Sequence, residues 1–280
     1  MNTSVPVPRS GVAQARRASI RARMLALVRA EFILLLRNRT ALFNAVALAP
    51  LTVAFIAWTG ADAFLGRGED TAVAGMLPTM LATLALVVVV YYNLTTTFVS
   101  RREELVLKRL LTGEVSRAEI LTAYATPAVA ISTAQLVLGT VAMGLWWIAL
   151  PRVQNIVWLT IGLVGGIVLL VLLAAAGSGL TRTVETAQLT TLPMLAVATG
   201  LSGVFVPLSF LPDGVQAVAI WSPMYPVVTL IQHGLGAALP DGSTASGALA
   251  DVAQPLACLI AWLVVGVVAL RHWMRWEPRR

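Results

Sequence analysis

Cysteine, histidine and lysine are almost absent from this sequence of 280 residues. Cys258 is the single cysteine, Lys108 is the single lysine, and His233 and His272 are the two histidines. One cysteine cannot form an intrachain disulfide, and it cannot supply the thiolates of a structural zinc site. The histidines lie far apart in sequence, which predicts surface or interfacial side chains and no metal site.

A phosphate-binding loop is also missing. A P-loop needs a glycine-rich turn before its lysine, whereas Lys108 lies in the sequence Leu-Val-Leu-Lys-Arg-Leu-Leu. We therefore expect no catalytic residues, no ATP site and no cofactor in this chain. If ATP drives its activity, a partner chain binds the ATP and magnesium.

Charged residues make up only 12% of the chain, against 58% hydrophobic residues. A water-soluble fold of this composition could not cover its apolar surface. Uncharged apolar stretches recur along the chain, and each is long enough to cross a hydrocarbon core of about 30 Å, for which about 20 helical residues suffice. The sequence therefore predicts an all-α integral membrane protein with transmembrane helices at residues 41–59, 74–99, 120–150, 156–176, 187–211 and 252–270.

The basic residues are distributed asymmetrically around these stretches. All but two of the twenty lysines and arginines fall in the N-terminal arm, in the connections after the second and fourth stretches, and in the C-terminal tail. Only Arg67 and Arg152 fall in the alternate connections. Because cytoplasmic loops retain basic residues, both termini are expected to be cytoplasmic. The net charge of +7 then reflects topology and attraction to anionic lipid, not binding of nucleic acid.

The N-terminal arm divides into two parts. Residues 1–15 are rich in Ser, Pro, Val and Gly and are predicted to be disordered. Residues 16–39 place apolar and arginine side chains on opposite arcs, which is typical of an amphipathic helix in the membrane interface. A simple basic stop before the first span is the alternative. Glu31 projects from the apolar arc, and because an unpaired carboxylate there is costly, we expect it to pair with an arginine from elsewhere.

A second charged segment, residues 101–119, is predicted to form a short cytoplasmic helix followed by a turn. Arg102 and Lys108 are expected on an exposed arc, where charge changes have small effects. A helix this short needs a partner, either this protein's own surface or a second protein. Its apolar arc consists of Val106, Leu107, Leu110 and Leu111.

Two local motifs predict how helices begin and pack. Ser116 and Glu119 have the spacing of a capping box that opens the third span. Gly162 and Gly166 are spaced for the close approach of another helix.

The predicted spans contain no ionisable relay, which disfavours transport coupled to an ion gradient. Their polar residues are amides and hydroxyls, most of which bond to backbone carbonyls or across helices. A dense cluster from Asn93 to Thr97 lies near the cytoplasmic end of the second span, where a cargo could enter. Candidates for a substrate path are Asn44, Asn93, Thr96, Thr97, Thr199, Ser202 and Phe205.

Residues 203–252 form an apolar external segment that contains several prolines. Proline forbids one continuous helix, yet the stretch is too apolar for a solvated loop. We expect broken, re-entrant helices that lean back into the outer leaflet, where protein must cover their backbone. The prolines are Pro207, Pro212, Pro223 and Pro226.

These features, in this order, resemble the membrane subunits of type-two ABC exporters, which include antibiotic exporters and polysaccharide translocators. The resemblance covers nearly the whole chain. It rests on Ala-Glu-Phe at 30–32 with Arg-Asn-Arg at 37–39, on Arg-Arg-Glu-Glu-Leu from 101, and on Leu-Ser-Gly at 201–203 followed by the proline series.

The resemblance implies a half-transporter in the plasma (inner) membrane of a bacterium, in which two permease chains pair with two ATP-binding subunits. It implies that an amphipathic or hydrophobic small molecule, such as a drug or antibiotic, moves outward. A lipid-linked glycan or another lipid is an alternative cargo, and a non-transporting immunity or sensor protein is an alternative function. The implied coupling residues are Glu103, Glu104, Val106, Leu107, Leu110 and Leu111, and those of the interfacial helix are Glu31, Phe32 and Arg37.

Overall fold

The computed structural model describes residues 20–37, 39–59, 74–112, 115–146, 150–241, 243, 245 and 248–276. The described chain is helical and contains no strand, as predicted; the tail at 1–15 lies outside the described residues. A short 3₁₀ turn spans Leu208–Phe210. The helices are α1 Ile20–Arg37, α2 Arg39–Thr59, α3 Met76–Glu103, α4 Val106–Thr112, α5 Arg117–Leu145, α6 Ile156–Ser178, α7 Val184–Gly200, α8 Asp213–Ala219, α9 Tyr225–Leu235 and α10 Leu249–Trp273.

Side-chain caps fix where several helices begin. The predicted capping box of α5 is confirmed: the backbone N–H of Ser116 donates to Glu119 Oε2 at 2.7 Å, and that of Glu119 donates to Ser116 Oγ at 3.3 Å. Asn155 caps α6, and Thr183 caps α7. These bonds satisfy backbone donors that have no partner within the helix.

The core lies where α3, α6 and α9 pack together. A methyl group added at Gly162 would lie 3.0 Å from the backbone nitrogen of Ile231, and one added at Gly166 would lie 2.7 Å from Val227 Cγ1. Both glycines therefore let α9 approach α6 closely, which confirms their predicted role. A smaller core cluster joins α2, α3 and α5.

Four of the described helices, α3, α5, α6 and α10, are long and apolar enough to cross a membrane. Helix α2 has 21 residues and contains Pro50, and its apolar stretch is Ala47–Ile56. Helix α7 has 17 residues, about 25 Å of helix. It is shorter than the predicted span at 187–211 because the chain turns after Gly200, with Gly203 at φ 76° and Pro207 beyond it.

Contacts between connections define the two ends of the bundle. At one end, called here the basic end, Arg102 Nη1 donates to the carbonyl of Ser178 at 2.7 Å, and the Arg117 guanidinium lies 5.6 Å from the centre of the Trp276 ring. The connections after α3, α6 and α10 therefore meet, as the alternating charge predicts. Towards the opposite end, Gln254 Nε2, near the start of α10, donates to the carbonyl of Ile220 at 3.1 Å.

Candidate functional site

An ion pair at the basic end joins α1 to the end of α3. Arg101 Nη2 lies 3.4 Å from both carboxylate oxygens of Glu31, which confirms the predicted arginine partner for Glu31. Arg101 Nη1 donates to Glu104 Oε2 at 3.1 Å, so one guanidinium is shared by two carboxylates. Burial raises the pKa of Glu31 above its ordinary value, although the charge of Arg101 acts in the opposite direction.

A cavity of about 750 Å³ extends from this ion pair between α1, α2, α3 and α5. It is open along α2, where Phe43 is 64% exposed and Leu51 is 58% exposed. From Arg101 to Val88 the cavity follows α3 for 13 residues, about 20 Å. The lining residues are Glu31 and Leu34 of α1; Phe43, Ala47, Leu48 and Leu51 of α2; Val88, Val89, Asn93, Leu94, Thr96, Thr97 and Arg101 of α3; and Tyr124, Pro127, Ala128, Ile131 and Gln135 of α5.

The cavity borders a wide turn in α3. Residues Ala85–Tyr92 are π-helical, an unusual conformation that is frequent at functional sites. Four consecutive valines, 87–90, have stiff side chains that crowd the preceding turn and weaken the α-helical alternative. Val88 and Val89 line the cavity from this widened segment.

The predicted cluster from Asn93 to Thr97 presents oxygen atoms to the cavity. Thr96 Oγ1 donates to the carbonyl of Asn93 at 2.9 Å, and Thr97 Oγ1 donates to the same carbonyl at 2.7 Å. A hydroxyl has one hydrogen, so both side chains are left to act as acceptors. Asn93, Thr96 and Thr97 thus share the cavity with Glu31 and Arg101.

The remaining path candidates lie elsewhere. The hydroxyl of Thr199 donates to the carbonyl of Leu195 at 2.7 Å, and buried Ser202 donates to the carbonyl of Thr199 at 2.6 Å. Both stabilise the end of α7, and with Phe205 they are absent from the cavity lining. The side chain of Asn44 lies outside the described residues. Sequence reasoning did not name Tyr124, Gln135 or Phe43 as path candidates, although all three line the cavity. Only packing shows which face of their helices borders it.

The short helix predicted in the 101–119 segment is present as α4, but it begins at Val106 and not at residue 101. Helix α3 continues to Glu103, and the chain breaks at Leu105, whose φ is 61°, before α4 begins. Leu107 is 1% exposed and belongs to the core, so it stabilises this chain's own fold. The half-buried Leu110 and Leu111 pack against the same core, and Val106 is also half-buried. Among residues 101–112 the exposed ones are Glu103, Glu104, Leu105, Lys108, Arg109 and Thr112.

Arg102 is not the exposed residue that the sequence suggests. It is 1% exposed, and its guanidinium donates to the carbonyls of Ser178 at 2.7 Å and Thr181 at 2.6 Å. These carbonyls lie at the C-terminal end of α6, where a positive charge is favourable. The expectation of a surface side chain is also wrong for His233, which is 1% exposed in α9.

Helix α1 packs against α5 and keeps apolar side chains on its outer surface. Leu25 is 66% exposed and Leu36 is 60% exposed, whereas Phe32 is half-buried and Arg37 is exposed at the last turn. Exposed leucines beside basic residues suit a helix that lies in a lipid interface.

Long apolar helices and a basic end together define a multi-pass membrane protein. The family model described as "ABC-2 type transporter" matches residues 22–235, so this chain belongs to the ABC-2 type transporter family. It is a transmembrane permease subunit, and the family implies an ATP-binding partner component. A search of curated proteins finds no match.

Proposed function

We propose that this chain is the permease subunit of an ATP-driven exporter that moves an amphipathic or hydrophobic small molecule, such as a drug or antibiotic, out of the cytoplasm. The observation that carries the proposal is the cavity of about 750 Å³ between α1, α2, α3 and α5. Pockets for drug-sized ligands span about 300 to 1,000 Å³ and combine an apolar lining with a few polar groups. This cavity has that size and that composition.

The proposed assembly contains two permease chains and two ATP-binding subunits, which hold ATP and magnesium. Coupling would use the exposed residues near α4, including Glu103, Glu104 and Arg109, with Leu110 and Leu111 at the edge of the contact. Leu107 packs in the core and anchors α4 to the rest of the chain. A surface of this kind can bind a groove on the partner while the core side of α4 stays in place.

The proposed topology has six spans in the plasma (inner) membrane of a bacterium, with the basic end in the cytoplasm. Helices α2 and α7 would complete the six, with α1 in the interface and residues 203–252 re-entrant from the outer side. A reporter fused after Arg280 and one inserted at Ser116 are both expected to read cytoplasmic, and one inserted at Gly242 is expected to read external. A cytoplasmic signal at Gly242 would contradict this topology.

The transport proposal predicts that the chain copurifies with an ATP-binding subunit and that inside-out vesicles containing both accumulate an amphipathic dye when ATP is supplied. Ile131→Trp fills the cavity and is expected to remove most of this accumulation. Val137→Trp, on an exposed part of the same helix, is the matched control and is expected to transport normally. A non-hydrolysable ATP analogue should support no accumulation.

Two results would reject the transport proposal. The first is a chain that copurifies with no ATP-binding subunit, which is what a sensor or immunity protein requires. The second is accumulation that is equal with and without ATP. A variant Arg109→Glu that keeps its abundance but loses the ATP-binding subunit would localise the contact to α4.

A further inference from the structure

The charged end of the cavity has one guanidinium, which two carboxylates share. Only Glu31 and Arg101 contribute ionisable carboxylate or guanidinium groups to the lining, among the described residues. Arg101 is also bound by Glu104, and this second contact, at 3.1 Å, is shorter than the 3.4 Å contacts to Glu31. Two carboxylates thus share one guanidinium, and both contacts to Glu31, at 3.4 Å, are longer than the usual range of N–H···O hydrogen bonds.

The surrounding neutral groups also favour a positive guest. The hydroxyls of Thr96 and Thr97 donate to backbone, so they offer acceptor oxygens to the cavity. The rings of Phe43 and Tyr124 belong to the lining, and aromatic faces attract cations. An anion would find one guanidinium that two carboxylates already bind.

The rest of the cavity suits an apolar body. Beyond the ion pair the lining is formed by Leu48 and Leu51 of α2, by Val88 and Val89 of the π-helical turn, and by Ile131 of α5. The length of about 20 Å along α3 accommodates a fused-ring system or an alkyl chain. A molecule with one positive group and one apolar body would match both ends at once.

We propose that the cavity binds a cationic amphiphile, with its N–H-bearing positive group against Glu31 and the threonine oxygens and its apolar body along α2. This inference rests on the proposed function and names the class of substrate. The cation takes the place of Arg101 beside Glu31, while Arg101 keeps Glu104. The loose Glu31 contact, whose two distances are both 3.4 Å, is the one that the guest replaces.

The test is binding of rhodamine 6G to the full chain in discs of neutral lipid, followed by fluorescence anisotropy. Dodecylamine and dodecanoic acid are the competitors, at a pH where both are ionised. Dodecylamine is expected to displace the dye, and dodecanoic acid is expected to be much weaker. Glu31→Gln should weaken dye binding by at least about tenfold, because a charge-assisted contact is replaced by a neutral one.

Matched variants separate binding from folding. Glu185→Gln removes an exposed carboxylate that does not line the cavity and should leave dye affinity unchanged. Glu31→Asp keeps the charge and should retain more affinity than Glu31→Gln. Arg101→Gln removes the competing guanidinium and should tighten dye binding. Thermal unfolding of each variant is measured to show that it is folded at the temperature of the binding assay.

Equal dye affinity in wild-type and Glu31→Gln protein, or equal competition by the acid and the amine, would overturn the inference. Transport distinguishes this failure from failure of the proposed function. ATP-dependent accumulation of neutral or anionic dyes, but not of rhodamine 6G, would reject the cationic class and leave an exporter. Charge-selective binding without ATP-dependent accumulation of any dye would reject the exporter and leave the binding site.

Discussion

Arg102→Met is expected to lower the free energy of unfolding by about 3 kcal/mol or more, because hydrogen bonds to charged groups contribute about 1.5 to 3 kcal/mol each. The guanidinium donates to the carbonyls of Ser178 and Thr181, and it is 1% exposed. Methionine fills part of the volume but donates to neither carbonyl, so Thr181 loses the bond from Arg102 while Ser178 keeps the bond from Thr181 Oγ1. Unfolding of the purified chain in mixed micelles, at increasing fractions of denaturing detergent, measures the loss.

Arg109→Met is the matched control, since Arg109 is exposed on α4. It should unfold within about 0.5 kcal/mol of wild type, as surface substitutions usually do. Arg102→Lys should fall between the two, because a compact ammonium cannot bridge carbonyls as a planar guanidinium does. If Arg102→Met and Arg109→Met unfold at the same denaturant fraction, the hydrogen bonds of Arg102 to Ser178 and Thr181 do not stabilise the basic end.

Gly234→Ala is expected to cost about 3 kcal/mol of stability and to reduce the abundance of the protein in the membrane. A methyl group at this position would lie 2.6 Å from the backbone nitrogen and Cα of Leu159. Backbone atoms cannot rotate away as a side chain can, so α9 and α6 would have to separate. Overpacking of this kind typically costs about 1 to 3 kcal/mol, and the fixed backbone favours the upper value.

Gly214→Ala provides the control for Gly234→Ala. Gly214 lies in α8, and nothing comes within 4 Å of an added methyl group there. Alanine is a better helix former than glycine, so this variant should be neutral or slightly more stable, by up to about 1 kcal/mol. Equal stability of the two variants would mean that α9 tolerates a wider separation from α6.

Glu31 illustrates how far sequence reasoning reaches into the site. A carboxylate on an apolar arc predicted an arginine partner, because an unpaired charge is costly near lipid. The partner, Arg101, is 70 residues away, and no local pattern names it. The same limit applies to Arg102, which has the same residue type as Arg101 and follows it directly. The two arginines point to different neighbours, one to carboxylates and the other to carbonyls.

Leu107 illustrates what the sequence cannot predict about the coupling segment. The apolar arc of the 101–119 segment required a partner, and the sequence left open whether this was the chain itself or another protein. Packing decides the matter for Leu107, which lies in the core, whereas the exposed residues of α4 stay candidates for the partner contact. The helix breaks at Leu105, whose φ is positive. A positive φ usually occurs at glycine, so the sequence does not predict this break.

The sequence by itself determined the properties that depend on composition and short spacing. Uncharged apolar stretches determined a helical membrane protein, the basic residues determined which connections share an end, and Ser116 with Glu119 determined the start of α5. Each of these follows from solvation or from bonds within one turn of helix.

Only the tertiary structure decided which polar groups share a cavity and which hold the fold together. Asn93, Thr96 and Thr97 meet Glu31 and Arg101 because α1, α2 and α5 close around α3, while Ser202 is buried at a turn. Long-range packing selects one face of each helix for each neighbour, and mild polar residues look alike in sequence whichever face they occupy. The π-helical turn of α3 at Ala85–Tyr92, which shapes the cavity, is likewise visible only in the folded chain.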